Sequence, residues 1–350
     1  MDFLSRMRGE RPIAKAAPTL TEELARLDAL LARQEAAIRA AFDQYVRELK
    51  SPAMVKEIAD LLDRGDVEGA LRVLDTYVSR MASVLPRNFV AAGTAEASAL
   101  AALLSNMTPK IAVSFNAGDP VAAALMRSAT LSFIREFSDR QRAATRFALA
   151  ESIARGDGSA AAARAFRSSI GLTERQLRSV MRYRALLENM SAQALDVGLR
   201  DRRFDPTVRR SVDTEEPLTP AQIDRMVEAY TRRKLISRSQ TIARTEGVRT
   251  MSEARDEAFR QMMETSGIDP ALVDEIWNAT RDNRTRETHR EMNLQVVPYG
   301  QPFVSPSGAR LRYPGDPNAP AEEVINCRCH KTRQIRQVGQ PFTGKVVETP

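Results

Sequence analysis

Trp277-Asn278-Ala279-Thr280-Arg281-Asp282-Asn283-Arg284-Thr285-Arg286-Glu287-Thr288-His289, then Tyr313-Pro314-Gly315-Asp316, then Asn326-Cys327-Arg328-Cys329: these segments hold the only tryptophan, both cysteines and one of the two histidines of a 350-residue chain. The other histidine, His330, follows at once. Short β-prone pieces near 275–280, 294–297, 303–304 and 324–329 alternate with turn residues. Residues 282–292 read as a short helix between them. Gly308 and Tyr313-Pro314-Gly315-Asp316-Pro317 read as tight turns, because Pro presets φ and Gly admits positive φ. Residues 267–335 are therefore predicted to form a small α+β module carried on the helices before it.

Upstream the period changes to that of helices. Thr19 to Lys50 predicts one long helix, with Leu31, Ile38 and Tyr45 spaced by sevens, Phe42 and Leu49 completing a narrow apolar seam, and Thr19 with Glu22 forming a capping box. An intramolecular helical hairpin is the preferred use of that seam over docking on a partner helix. Helix follows helix to Asn189, with breaks at Asp63-Arg64-Gly65-Asp66, Leu85-Pro86, Ala117-Gly118-Asp119-Pro120 and Arg155-Gly156-Asp157-Gly158-Ser159. Thr173 with Gln176 signals another N-cap. Thr219-Pro220-Ala221-Gln222 opens a helix with Thr as N-cap, Pro at the first position and Gln at the third, and Ile223, Met226, Val227 and Tyr230 form its apolar face. A second helix is expected through Arg244-Thr245-Glu246 to about Ser266. The fold class is thus a mainly α N-terminal region followed by a small α+β C-terminal module. In segments, 1–18 reads as a flexible basic arm, 19–165 as all-helical, 166–266 as the helical part of the second domain, 267–335 as the module and 336–350 as a tail.

Hydrophobic residues make up 43% and charged residues 28% of the chain, enough apolar content for folded cores, while aromatics at 5% favour helix-on-helix packing over a β-sandwich. The net charge of +7 favours anionic partners, although 45 acidic residues answer 52 basic ones and many are expected to pair along helices. Arg200-Asp201-Arg202-Arg203-Phe204-Asp205 is the densest basic cluster, so Arg200, Arg202 and Arg203 are candidates for nucleic-acid contact, set against a solvated and partly self-paired loop. Cys-x-Cys gives no disulfide framework and points to a reducing compartment. No signal-peptide run opens the chain. The most apolar stretch, 89–104, is interrupted by Glu96 and falls short of the roughly 20 residues a membrane span needs, so no membrane partner is expected.

The chemistry-bearing residues fall into two sets. Asp282, Arg286 and His289 would share one face if 282–292 were helical, with Asp282 latching Arg286. Cys327 and Cys329 would point the same way on a strand, and with His289 packed over them would supply three ligands suited to structural zinc, the fourth coming from Asp282, Asp316 or water. His330 would face away. The alternative is that both cysteines are ordinary buried packing residues. Phosphate-loop, dinucleotide, H-E-x-x-H and G-x-S-x-G motifs are all missing from the sequence, and neither histidine has a nucleophile context, so no catalytic residue is assigned.

Taken together the ordered blocks resemble the phage Mu protein F-like family, also called the phage head morphogenesis or minor head protein family. The blocks are Gly171-Leu172-Thr173 with Tyr183-Arg184; Arg200 to Asp205; Pro217-Leu218-Thr219-Pro220-Ala221-Gln222-Ile223-Asp224; Thr241-Ile242-Ala243-Arg244-Thr245-Glu246; Trp277 with Asp282 to His289; Pro302 to Gly308; Arg312 to Asp316; and Val324 to Cys329. They span about residues 165–335. On this resemblance Arg244, Glu246, Trp277, Asp282, Arg284, Arg286, His289, Tyr313, Gly315, Asp316 and Asn326 are structural-motif residues. One position departs: the family usually has Gly after the Asn that follows the motif histidine, whereas Asn293 is followed by Leu294. The resemblance implies a minor head protein of a tailed double-stranded DNA phage or prophage, acting in head morphogenesis at or near the portal vertex. Its implied partners are the portal protein and the major capsid or scaffolding protein, with packaged DNA as a further contact. Its implied location is the virion, and host cytoplasm during assembly. Some relatives carry a C-terminal toxin domain, which the short segment after Cys329 does not accommodate. The competing expectation is an enzyme, a metal-assisted nuclease or nucleotide-dependent transferase using Arg244, Glu246, Asp282, Arg286, His289, Cys327 and Cys329.

Overall fold

The computed structural model describes residues 18–104, 113–156, 158–336 and 341–342. The expected basic arm and most of the tail lie outside these residues. The first helices are α1 (Leu20–Leu49), α2 (Pro52–Asp63), α3 (Val67–Ala82), α4 (Val84–Leu104), α5 (Pro120–Ala154), α6 (Ser159–Ser169) and α7 (Glu174–Glu188). Local chemistry sets their ends. Thr19 and Glu22 form the reciprocal cap of α1, with the Glu22 N–H donating to Thr19 Oγ1 at 3.3 Å and the Thr19 N–H to Glu22 Oε2 at 2.7 Å. Thr173 and Gln176 do the same for α7. Asp66 accepts from the Gly69 N–H at 2.7 Å to start α3. Pro86 sits in the first turn of α4, where its missing N–H costs no hydrogen bond.

After two 3₁₀ turns, Ala192–Asp196 and Arg202–Phe204, come α8 (Asp205–Thr214) and α9 (Pro220–Ser266). Thr219 caps α9 through Gln222, as its sequence predicts. The two helices expected between Thr219 and Ser266 are instead one helix of 47 residues. Nothing between Tyr230 and Arg244 breaks a helix: the segment contains no Gly and no Pro, so the backbone continues.

The remaining elements are small: a third 3₁₀ turn (Pro270–Leu272), β1 (Val273–Asn278), α10 (Glu287–Glu291), β2 (Val296–Pro298), β3 (Phe303–Val304), β4 (Arg310–Leu311), α11 (Ala321–Val324) and β5 (His330–Ile335). They form an antiparallel sheet in the order β2-β1-β5 and a separate β3-β4 hairpin. Trp277 stands opposite Lys331, Glu275 opposite Arg333 and Phe303 opposite Leu311. A mainly helical chain ending in a small α+β module is thus the observed fold class.

The contacts divide the chain into two compact units that do not follow the consecutive sequence segments. One comprises Gln34–Arg87 and Met126–Gly247; the other comprises the described parts of Met1–Arg33, Asn88–Leu125 and Val248–Pro350. Ile38, Phe42, Tyr45 and Leu49 of the α1 seam are buried in the first unit with Leu71, Leu74, Phe133, Phe137 and Phe166. The seam is therefore used within the chain. A second cluster there gathers Leu177, Tyr183, Leu187, Val208 and Tyr230. In the other unit, Leu100, Phe259, Met262 and Val273 form one core and Trp277, Met292, Val297, Phe303, Leu311, Cys327 and Cys329 another. No described helix is long and apolar enough to cross a membrane.

Candidate functional site

The second of those cores contains the scarce residues. Trp277 ends the buried face of β1 and is wholly enclosed, its ring meeting Phe303 edge-on at 5.3 Å and the His289 imidazole at 5.1 Å. His289 lies on α10, only five residues long. The longer helix expected over residues 282–292 is not formed before Glu287. Asp282 instead organises a turn, accepting from the Arg284 N–H at 3.0 Å and from Thr285 Oγ1 at 3.1 Å. It does not latch Arg286. Its partner is Arg328, whose guanidinium donates to both carboxylate oxygens at 2.5 and 2.7 Å and holds the Asp282 carboxyl well below the usual range. Arg286 reaches the carbonyls of Glu322 and Ile325 at the end of α11, satisfying acceptors that the helix leaves free.

The strand expected through residues 324–329 begins only at His330. α11 occupies Ala321–Val324, Asn326 takes a left-handed conformation (φ 60°), and the Cys327 N–H closes a turn on the Val324 carbonyl at 3.2 Å. Both thiols still converge, but from a turn and not from alternate positions of a strand. Cys327 Sγ lies 3.6 Å and Cys329 Sγ 3.4 Å from His289 Nδ1. All three side chains are buried. The Cys327 thiol, with His289 behind it, holds the Cys329 sulfur toward the thiolate form; Cys327 itself is pushed up by its neighbour and by burial.

Neither Asp282 nor Asp316 completes this group. Asp316 is buried elsewhere, accepting from the Arg312 N–H at 2.9 Å and the Asn318 N–H at 3.0 Å. The carboxylate at the imidazole is Glu323, which sequence reasoning missed; Oε2 stands 3.0 Å from His289 Nε2. The Nε2–H is not aligned for a hydrogen bond at this separation, so the carboxylate acts on the ring as a nearby negative charge. Thr288, Ser305 and Ser307 donate to the same carboxylate at 3.0, 3.1 and 2.7 Å. No spacing rule marks Glu323 in the sequence, since its partners come from two separate segments, 288–289 and 305–307.

The remaining motif residues are spread through the second unit or lie in the first. Tyr313 donates to Glu253 at 3.2 Å. Gly315 has φ 83° and backs onto the Arg249 backbone, where an added Cβ would lie 3.1 Å from the nitrogen, so both conformation and space require glycine. Arg284 is exposed at the turn. Arg244, in the first unit, pairs with Glu35 at 3.3 Å, and Glu246 is half-buried on the same helix. Arg200 binds Asp205 through two hydrogen bonds of 2.9 Å, Arg203 binds Asp201, and Arg202 is exposed. His330 meets Asp28 at 2.8 Å, apart from the thiols.

A second feature without a sequence signal is a buried ionic network. Arg255 grips Glu96 through bonds of 2.9 and 3.1 Å and reaches the Lys331 carbonyl at 2.8 Å. Lys331 pairs with Glu275 at 2.8 Å and Asp256 at 2.9 Å, and Arg333 pairs with the same two acids. Burial pushes the Glu96 carboxyl up, but Arg255, Arg26 and Arg333 pull it further down, to about 2.

Chemically, the thiol–imidazole group is enclosed, with Asp282, Arg286 and Arg328 nearby committed to holding a turn or a helix end and Glu323 facing the imidazole. A cleft of about 710 Å³ lies in the other unit, lined by residues including Glu151, Arg155, Arg164, Leu177 and Arg184, with no cysteine or histidine. Among the described residues the arrangement brings together three donor atoms of the kinds that ligate metals, beside structural clamps.

Residues 186–332 match the family model described as Phage Mu protein F like protein. This interval runs from the end of α7 to the third residue of β5 and includes the entire thiol–imidazole group. No curated protein and no solved structure matches significantly.

Proposed function

Because residues 186–332 place this chain in the Phage Mu protein F-like family, we propose that it is a minor head protein of a tailed double-stranded DNA phage or prophage. It is incorporated at or near the portal vertex during head assembly. The domain match carries this reading, since the family's role is head morphogenesis. Two further observations support it. Most of the motif residues are engaged in internal packing and hydrogen bonding, as expected of a structural part, with Arg284 and Asn326 exposed. The net charge of +7 suits a component that works beside packaged DNA.

The portal protein is the first partner to test. A tagged copy of the full chain, co-expressed with the portal and major capsid proteins, should co-purify with portal rings or procapsids. Absence from purified virions and from assembled heads would end the proposal. Direct contact with duplex DNA is a separate matter, read from filter binding at two salt concentrations, where phosphate contacts give a steep loss of affinity with salt. No described residue arrangement favours the enzymatic alternative; incubation with DNA or NAD and divalent metals should give no turnover.

A further inference from the structure

We propose that His289 Nδ1, Cys327 Sγ and Cys329 Sγ bind one zinc ion, which fastens the turn before β5 to α10. The proposal stands independently of the head-assembly reading.

Distance is the first argument. Zinc bonds of about 2.0–2.1 Å to imidazole nitrogen and about 2.3 Å to thiolate, at a tetrahedral angle, put the nitrogen and each sulfur roughly 3.6 Å apart. The observed separations are 3.6 Å to Cys327 and 3.4 Å to Cys329. All three donor atoms lie within 4.8 Å of one another. The side chains need only small adjustments to share an ion.

Orientation is the second. Glu323 faces Nε2 at 3.0 Å, favouring a proton on that nitrogen and leaving the Nδ1 lone pair toward the sulfurs. A carboxylate behind a ligating imidazole is the usual outer support of a zinc site. Glu323 is itself fixed by three hydroxyls, from Thr288, Ser305 and Ser307, which hold its carboxylate against the imidazole.

Charge is the third. Two thiolates and a neutral imidazole balance the dication, and soft sulfur with imidazole selects zinc over magnesium or calcium. Three protein donors leave one tetrahedral position for water or another small ligand. Binding releases the thiol protons, so affinity falls in acid.

The test uses the full chain purified without chelator. Elemental analysis should find about one zinc per chain. After zinc removal, cobalt(II) should give thiolate charge-transfer absorption and the visible bands of a tetrahedral site. Cys327→Ser and Cys329→Ser should each lose most of the charge-transfer intensity. His330→Gln should retain the full signal, because His330 binds Asp28. Glu323→Gln, which keeps the shape of the site, should weaken metal affinity by about 10- to 100-fold. Wild-type protein that is helical by circular dichroism, yet carries no zinc and shows no cobalt bands with excess metal, would overturn the proposal. So would full cobalt binding in the Cys327→Ser/Cys329→Ser double variant. Both decisive readings survive if a single cysteine variant fails to fold.

Discussion

The helical unit formed by Gln34–Arg87 and Met126–Gly247 and the C-terminal module from Val273 to Ile335 are held together by different forces. In the first, apolar seams predominate: Tyr45, Phe42 and Phe137 meet at ring distances of 5.3 to 6.3 Å, and backbone hydrogen bonds are satisfied inside long helices. In the second, two of five strands are two residues long and two helices have five residues or fewer. Regular secondary structure cannot satisfy so irregular a backbone. Side chains do it instead: Arg286 takes carbonyls at the end of α11, Asp282 caps a turn, Thr280 reaches the Arg328 carbonyl, and a charge network supports β1 and β5. Where elements are short, individual polar residues become indispensable, and most of this module falls within the matched interval 186–332.

The contrast is measurable because Trp277 is the sole tryptophan, so its fluorescence reports the module while far-ultraviolet circular dichroism reports mainly helices. The largest effect is expected from Arg255→Ala. Removing it leaves the buried Glu96 with Arg26 at 3.0 Å and Arg333 at 3.9 Å but without its two-bond partner, a loss of up to about 3–5 kcal/mol, with the tryptophan transition moving to much lower urea. A change below about 1 kcal/mol would mean that the network behaves like a surface ion pair. Its apolar counterpart is Leu74→Ala in the helical unit, where Leu74 is wholly buried. Cavity formation there should cost about 2–5 kcal/mol, read by circular dichroism. Sensitivity of that loss to 1 M salt, on the order of the response at Arg255, would erase the proposed difference.

Acid should weaken the unit that contains the module, through Glu96 of α4. The Glu96 carboxyl lies at about 2 in the folded protein against 4.5 unfolded. Its contribution, about 3 kcal/mol, is complete above pH 4.5 and is lost as pH falls toward 2. Glu23, pushed up mainly by burial, titrates in the opposite sense and narrows the net change. The tryptophan transition should therefore weaken between these pH values, and Glu96→Gln should flatten the dependence. An unchanged acid profile in that variant would assign the sensitivity to other carboxylates.

The same contrast decides what can be read from the sequence. Caps at Thr19, Thr173 and Thr219 and the α1 seam follow local rules, so the helical half is legible residue by residue. The convergence of His289 with both cysteines is legible too, though for the wrong geometric reason: a strand was expected where Asn326 builds a turn. Asp282 finding Arg328 in place of Arg286, and Glu323 supporting His289, depend on segments 46 and 34 positions apart. Periodicity carries no information over that range. The continuity of α9 was missed for a milder reason, since helix propensity ranks residues but marks no end without Gly, Pro or a cap.

The smallest predicted effect concerns Leu294, a non-glycine residue at positive φ. Leu294 has φ 64°, a left-handed conformation that a leucine adopts at a cost of about 1–2 kcal/mol. The turn fixes this geometry, because the Leu294 N–H donates to the Trp277 carbonyl at 2.8 Å and the Trp277 N–H to the Gln295 carbonyl at 2.9 Å. The side chain contributes little in return, being 51% exposed. Leu294→Gly removes the strain but gives the unfolded chain more freedom, a penalty of about 0.5–1 kcal/mol. The net expectation is stabilisation by up to about 1 kcal/mol, seen as a higher urea midpoint of tryptophan fluorescence. Leu294→Asn should capture part of the gain, since asparagine tolerates this conformation with a smaller entropic penalty. Destabilisation by both variants would show that the exposed leucine holds the turn through its side chain. The module's dependence on polar clamps would then have an apolar exception at its most strained residue.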